Sequence, residues 1–576
     1  MCVIAALLAT LALLCTGPGA PVASAPTASQ TVSLTVLATT DVHGNVWPYD
    51  YLRAQPAESG LAKVSSYVKS VRARQPHTLL LDCGDTFQGT PLAYLYAAQS
   101  LAANPVVAAM NAIGYNAMAV GNHEFNFGLH TLWRLKEQAR FPILAANIVS
   151  TYHDHVRDFE PYVIREVGGV RVAILGLVTP AIPYWEPPEN RAGYEFGDLV
   201  ETARKYVPEL RRKADLVILL VHSGLDRDPD SGEPRRGGHP GEDRVWDIAE
   251  QVPGIDAIIF GHSHEELAGK EVNGALLVQP KNWARSVAEI EFVLVRTEQG
   301  WRVAERRSRL VPMDASVPAD KKILDLTRDA HERTERYLST VVGELDQALD
   351  ARTSRIEDHP LVDFIHRVQL DAVQAEVSLA QSFSADTLLA AGPLTIRDLY
   401  SLYFYDNGLY AVEITGAQLK EALEYSASSF VGYPWPEGTA PFSGYSYDSA
   451  AGVSYQVDLT RPPGDRIRNL SFQDAPLAPD HKLHLALNTY RWSGGGSYPE
   501  DSGLRHARIV QRAEKQIRDL LIDWLRQHKK FPATADHNWE IVPPEAYEAL
   551  YQWVTTPPPA PAQSPLPAPV PAVLVN

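Results

Sequence analysis

Five short clusters in the first half of the chain gather acids, amides and histidines: Asp41-Val42-His43, Gly84-Asp85, Gly121-Asn122-His123-Glu124, His222, and Gly261-His262-Ser263-His264. Taken singly, each has an ordinary explanation, since Asp-x-His can be a turn, Gly-Asp is a common loop dipeptide and His-x-His is often surface. Taken together they form a set of oxygen and nitrogen donors without a thiol. Mixed O/N coordination of that kind suits Mn, Zn, Fe, Co or Ca-type ions. The chemistry on offer is metal-assisted and hydrolytic, with histidine available for proton transfer.

The elements that must position these residues are legible in the hydrophobic pattern. Apolar, strand-like runs fall at 34–38, 78–82, 172–178, 216–221, 257–260 and 275–279, with helix-period segments at 61–74 and 92–113 between some of them. Such alternation predicts an α/β layer architecture with helices covering the sheets. Four of the five clusters directly follow an aliphatic run. That puts their polar groups on loops at strand C-termini, where open α/β sheets place their ligands. Farther on, a charged stretch at 319–340 with Ile323, Leu326 and Ala330 reads as a solvated linking helix. The segment 361–377 reads as another helix. Strands at 409–414, 452–459 and 483–487 and helices at 416–426 and 512–527 then make a second, α+β domain.

Composition narrows the partners. The formal net charge is −17, with 45% hydrophobic and 21% charged residues. A nucleic-acid polymer is excluded, because tracking a phosphate backbone needs clustered Lys and Arg. Small phosphate esters are not, since cations can meet their charge locally. A chain of 576 residues exceeds one ordinary core, so two domains are expected.

In order and content the five clusters resemble the calcineurin-like metallophosphoesterase superfamily. The resemblance implies two divalent ions (Mn, Zn, Co or similar). One would be held by Asp41, His43 and His264, the other by Asn122, His222 and His262, with Asp85 bridging both. A bridging carboxylate keeps two cations a few ångströms apart, where together they can activate a water and neutralise phosphoryl oxygens. It also implies that His123 is catalytic, stabilising charge on the transition state or the leaving oxygen.

Gly84-Asp85-Thr86-Phe87-Gln88-Gly89 and Gly121-Asn122-His123-Glu124-Phe125 further resemble the secreted 5′-nucleotidase family. That implies a four-layer sandwich, two mixed sheets flanked by helices, joined by a helix to an α+β nucleotide-binding domain. The resemblance extends over nearly all of 32–553. Within the family the 5′-nucleotidase branch carries Asp three residues after the catalytic His, and arginines in the second domain. Here Asn126 and Gln381-Ser382-Phe383-Ser384 stand at those places. The chain is more similar to the 2′,3′-cyclic-nucleotide 2′-phosphodiesterase/3′-nucleotidase branch. The shared stretches are His123-Glu124-Phe125-Asn126-Phe127-Gly128, Tyr403-Phe404-Tyr405-Asp406-Asn407, Gly444-Tyr445-Ser446-Tyr447-Asp448 and Asn488-Thr489-Tyr490-Arg491. The branch places its base-stacking rings at Tyr405 and Tyr490, flanked by Asn407. Lys281 and Ala284 depart from the family's Trp-containing loop, and Gly494-Gly495-Gly496 replaces a Gly-Gly-Asp. The expected activity is hydrolysis of 2′,3′-cyclic nucleotides to 3′-nucleotides and on to nucleoside and phosphate. The alternative is a 5′-nucleotidase or UDP-sugar or diphosphate hydrolase.

The two ends complete the expectation. Residues 1–25 are apolar or small and close on Ala23-Ser24-Ala25, which reads as an export signal rather than a membrane anchor. Cys2 and Cys15 would leave with it, and Cys83 alone can form no internal disulfide. The Pro/Ala-rich stretch from 556 reads as an extended tail. The expected division is 1–25 signal, 32–318 catalytic domain, 319–341 linker, 342–555 nucleotide-binding domain and 556–576 tail. An exported monomer, periplasmic or extracellular, is expected, acting on small nucleotides without stable membrane insertion.

Overall fold

The structure, a computed structural model, describes residues 30–98, 103–151, 159–235, 238–436, 438–442 and 447–556. The export signal, most of the tail, and Gly444, Tyr445 and Ser446 lie outside the described residues.

Two six-stranded mixed sheets build the first half. One runs in the order Gly300–Pro312, Ser286–Thr297, Thr31–Thr39, Thr78–Asp82, Ala117–Ala119, Ile143–Leu144. The other runs Leu267–Val272, Ala275–Gln279, Ala257–Phe260, Leu216–His222, Val170–Val178, Tyr162–Val167. Their central strands are apolar throughout because both faces are buried. Strand alternation sorts those residues between two cores. Val36, Ala38, Leu79 and Leu81 face Ile218, Leu220 and Ile259 between the sheets. Leu37 and Leu80 pack outward beneath Leu61–Arg74 and Pro105–Ile113, and Val217, Leu219 and Val221 pack beneath Leu199–Lys213. The result is helix, sheet, sheet, helix.

The strands Thr31–Thr39, Thr78–Asp82 and Ala117–Ala119 are mutually parallel, as are Val170–Val178, Leu216–His222 and Ala257–Phe260. Their C-terminal ends carry all five clusters.

Several expected elements differ. The single helix at 92–113 is two helices, Pro91–Ala98 and Pro105–Ile113. The second starts afresh because the Asn104 side chain accepts from the amides of Val106 and Val107, and Pro105 suits a first helical position. The helix expected at 361–377 ends at Val373, where Gln374 turns left-handed, and Val377–Ala380 is a strand. The helix expected at 512–527 begins only at Ile517, Ile509–Arg512 being a strand.

The linking helix is Lys321–Leu338, and it is docked rather than solvated. Ile323, Thr327, Ala330, Thr334 and Leu338 form a buried stripe at helical spacing. Trp47 donates from Nε1 to Thr327 Oγ1 (2.8 Å) and stacks on His331 at 3.9 Å.

Beyond it lies a five-stranded sheet ordered Ser449–Ala451, Val377–Ala380, Lys482–Asn488, Leu409–Thr415, Ile509–Arg512, beside a four-stranded one. Pro360–Val373 and Ile517–His528 pack in the core that continues from the first half, while Gly416–Ala427 lies in a separate core. Among the described residues no helix is long and apolar enough to cross a membrane.

Candidate active site

The loops leaving the parallel strands turn sharply. Asp41, His43, Asp85, His262 and His264 all sit at positive φ, between 48° and 73°. For residues with a Cβ this conformation costs of order 1–3 kcal/mol each and persists only where the surroundings impose it. The imposing contacts are specific. The buried Glu124 carboxylate accepts from the backbone amides of Asp85 (2.8 Å), Thr86 (2.8 Å), Phe87 (3.1 Å) and Gly121 (2.7 Å), tying two loops together. Two glycines permit the closeness. A Cβ on Gly121 would stand 2.2 Å from Asp85 Oδ1, and one on Gly261 would stand 2.0 Å from Thr40 Oγ1.

The seven expected ligand side chains converge. Donor atoms of Asp41, His43 and His264 lie within 4.8 Å of one another, as do those of Asp85, His222 and His262. In the first group His43 Nε2 and His264 Nε2 are 3.0 Å apart, and His264 Nε2 is 3.4 Å from Asp41 Oδ1. In the second, His222 Nε2 is 3.0 Å from Asp85 Oδ2 and 3.2 Å from Asn122 Oδ1.

Neighbours fix which nitrogen each ring offers. His43 Nδ1 donates to the Gln88 carbonyl (3.0 Å) and His222 Nδ1 to the Cys83 carbonyl (2.7 Å), leaving each Nε2 to face the centre. His262 is reversed. Its Nε2 donates to Glu242 (3.0 Å), which leaves Nδ1 to the centre, while its backbone amide holds both Asp41 oxygens. The loop at 280–286, which departs from the family pattern, supports the centre. Lys281 reaches the His264 carbonyl (2.9 Å), Asn282 lies 3.3 Å from His264 Nδ1, and the Trp283 amide donates to the Asp41 carbonyl (2.7 Å).

The electrostatics suit cations. Burial lowers the His43 pKa to about 4, so its lone pair is free at neutral pH. Burial works against charge on Asp85, yet the imidazoles of His222 and His123 hold its carboxyl well below the usual range. Burial likewise opposes a proton on His222, and Asp85 outweighs it, raising His222 to about 10. This negative potential, with converging nitrogen and oxygen donors, fits a pair of divalent ions.

His123 stands at the rim with its Nε2 4.0 Å from Asp85 Oδ2. Burial opposes its proton, but Asp85, Asn126 and Glu186 together raise its pKa above the ordinary value. The opening beyond it is a cavity of about 580 Å³ shared with the second half. Asn122, His123 and His262 line one side, and Tyr405, Asn407 and Tyr490 the other. The three second-half residues singled out in the sequence thus face the same space as His123 and the expected donors Asn122 and His262. Tyr490 lies flat on the chain at Gly495, where any Cβ would meet its ring at 2.4–2.5 Å. The glycine run therefore seats the ring.

Sequence reasoning missed three supports. Arg491, buried, donates to both oxygens of Asp448 (2.8 and 3.3 Å) and to Gln381 Oε1 (3.1 Å), bracing the strand ends behind Tyr490. Gln88 reaches across to Asp406 (2.8 Å), which Arg518 also holds. Glu186, from the segment after Val170–Val178, contacts the Asn126 amide. Asp448 and Arg491 lay inside quoted motifs, whereas Glu186 carried no signal.

Sequence models of two families match the chain: calcineurin-like phosphoesterase over residues 34–266, and the 5′-nucleotidase C-terminal domain over 341–500. Fold and site define a metallophosphoesterase, a metal-dependent hydrolase of phosphoric esters of the dinuclear class. A 2′,3′-cyclic-nucleotide 2′-phosphodiesterase/3′-nucleotidase of Haemophilus influenzae is 30% identical, over 89% of this chain and 88% of that protein. A trifunctional nucleotide phosphoesterase of Bacillus subtilis is also 30% identical, over 91% of this chain, which spans only 40% of its length. Among solved structures, a putative 5′-nucleotidase of Staphylococcus aureus superposes with a TM-score of 0.77 at 26% identity, over 88% of this chain and all of that one. The chain belongs to the 5′-nucleotidase family of calcineurin-like phosphoesterases.

Proposed function

We propose that the chain hydrolyses 2′,3′-cyclic nucleotides to 3′-nucleotides and these to nucleoside and phosphate. The observation that carries the reading is the shared cavity in which Asn122, His262 and His123 face Tyr405, Asn407 and Tyr490. The Haemophilus relative, matched over most of both chains and named for both activities, supports their pairing in one chain.

In this reading Asp41, His43 and His264 would hold one ion and Asn122, His222 and His262 the other, with Asp85 available to both. The donor set, lacking thiols, suits Mn, Zn or Co. When bound, the two ions supply Lewis-acid neutralisation of phosphoryl oxygens and lower the pKa of water. The chain's own groups do the rest. Tyr405 and Tyr490 stack on the base, a contact any base satisfies, and Asn407 adds a polar contact. As imidazolium, His123 gives the Nε2 proton to O2′ as the P–O2′ bond breaks and a water oxygen bonds to phosphorus, that water losing a proton to solvent. After the ester re-seats, the same nitrogen serves O3′. Residues 32–318 form the catalytic domain, 319–341 the link and 342–555 the nucleotide-binding domain. Export as a monomer belongs to the same reading.

Phosphate release and product profiling on 2′,3′-cyclic AMP, 3′-AMP and 5′-AMP, with Mn or Co, test it. Turnover of the first two, absent in Asp85→Asn, is expected. Preference for 5′-AMP would leave the metal centre standing and replace the substrate assignment with 5′-nucleotidase.

A further inference from the structure

The side chain that orients His123 is itself held by a second one. His123 Nδ1 donates to Asn126 Oδ1 at 2.6 Å. The other end of that amide, Nδ2, donates to Glu186 Oε1. Glu186 is 4% exposed, and its second oxygen accepts from Asn190 Nδ2 at 2.8 Å. Its backbone is pinned as well, the carbonyl accepting from Arg191 Nε at 3.2 Å.

The chain of contacts has a direction. An amide can meet an imidazole with either its oxygen or its NH2 group, and on its own Asn126 could present either. A carboxylate only accepts, so Glu186 draws the NH2 group to itself and leaves the oxygen for His123. An oxygen at Nδ1 in turn requires a proton on Nδ1. The ring is thereby held with Nε2 turned to the cavity. We propose that Glu186 is a positioning residue for His123: through Asn126 it keeps the ring turned with Nδ1–H on the Asn126 oxygen, so that Nε2 faces the leaving oxygen and gives up the second proton of the imidazolium there. The inference rests on His123 acting as proton donor in the reaction described above.

An alternative role for Glu186 is purely structural, tying Asn190 and the segment around it to the loop after His123. The two roles separate by leaving group and by exchange of polarity. A ribose hydroxyl leaves poorly without a proton, whereas a nitrophenolate leaves readily as an anion. The variants are Glu186→Gln, Asn126→Asp, their combination, and His123→Ala. Asn126→Asp sets two carboxylates against each other. Glu186→Gln offers one oxygen to two amide donors. The combination restores one acceptor facing His123 and one amide donor behind it, with the charge moved from 186 to 126.

The experiment measures kcat and KM on 2′,3′-cyclic AMP and on bis(p-nitrophenyl) phosphate, with bound metal quantified in every variant. General acid–base assistance contributes typically 10²–10⁴-fold, which sets the ceiling for each loss. The expected result is a kcat loss of about 10-fold for Glu186→Gln and about 100-fold for Asn126→Asp on the nucleotide. KM and metal content should hold, the nitrophenyl ester should be nearly unaffected, and the double variant should recover most of the loss. Equal losses on both substrates without recovery would make Glu186 structural and overturn the proposal. If His123→Ala lowers both substrates equally, the proton-donor reading fails first and the proposal falls with it. Should Asn126→Asp not fold, the ¹⁵N shifts of His123 decide. They should report a protonated Nδ1 in the parent and a mixed tautomer in Glu186→Gln, and an unchanged tautomer would overturn the proposal.

Discussion

The two walls of the cavity are built on different principles. On and behind the first-half wall, every expected metal donor leaves the C-terminal end of a parallel strand, and five of them sit in strained left-handed backbone. Hydrogen bonds to backbone amides and carbonyls fix them, with Glu124 alone gathering four amides. On the second-half wall, the rings of Tyr405 and Tyr490 come from the segments flanking Leu409–Thr415 and following Lys482–Asn488, and packing seats them. Tyr405 lies among Phe383 and Phe404, with centroids 5.1 and 4.2 Å away. The lesson is a division of labour. Rigid, directional bonding is spent where charge must be placed, and adaptable aromatic packing where any base must fit.

That contrast makes ranked predictions. Asp85→Asn touches the most strongly charged point and should lower turnover of every substrate by about 10³-fold or more, since paired ions supply several kcal/mol of transition-state stabilisation. Phosphate release with metal quantification checks it. Next is Asp448→Ala, which strands the buried Arg491 guanidinium on the other wall. Breaking a buried pair on one side costs about 3–5 kcal/mol, read by denaturant unfolding, while the metal donors of the first half remain in place. Tyr405→Ala and Tyr490→Ala should each raise KM with little change in kcat, by about 5- to 150-fold for a lost stack of ~1–3 kcal/mol. A kcat loss matching Asp85→Asn would erase the division between walls.

The smallest effect lies away from both. Burial, with Asp358 and Asp536 beside it, raises the Asp363 carboxyl to about 8. The folded chain then binds more protons than the unfolded chain between the ordinary carboxylate range and pH 8, so stability falls as pH rises through that window. Asp363→Asn should raise the Tm at pH 8 and lose its advantage near pH 4, as thermal melts across pH would record.

How much of this could be read from the residues follows the same contrast. The five clusters sit in short stretches ending aliphatic runs, so local spacing brought them into view, and the family resemblance picked out Asp41, His43, Asp85, Asn122, His222, His262 and His264 as the expected donors. Strands 78–82, 257–260 and 275–279 and the helix 61–74 coincide with the expected bounds, because burial on both faces or one apolar stripe leaves no competing reading. Tertiary choices were not legible. The start of a new helix at Pro105 depended on the Asn104 cap, and the docking of Lys321–Leu338 on Trp47 joins residues 280 apart. Glu186 meets Asn126 across 60 residues from a proline-rich segment without periodicity.

The most direct test of the shared metal centre is the number of divalent ions bound per chain, measured after equilibration with Mn, in the parent and in Asp85→Asn. Two in the parent and at most one in the variant is the expected result. No bound metal in the parent, or two retained in the variant, would contradict it.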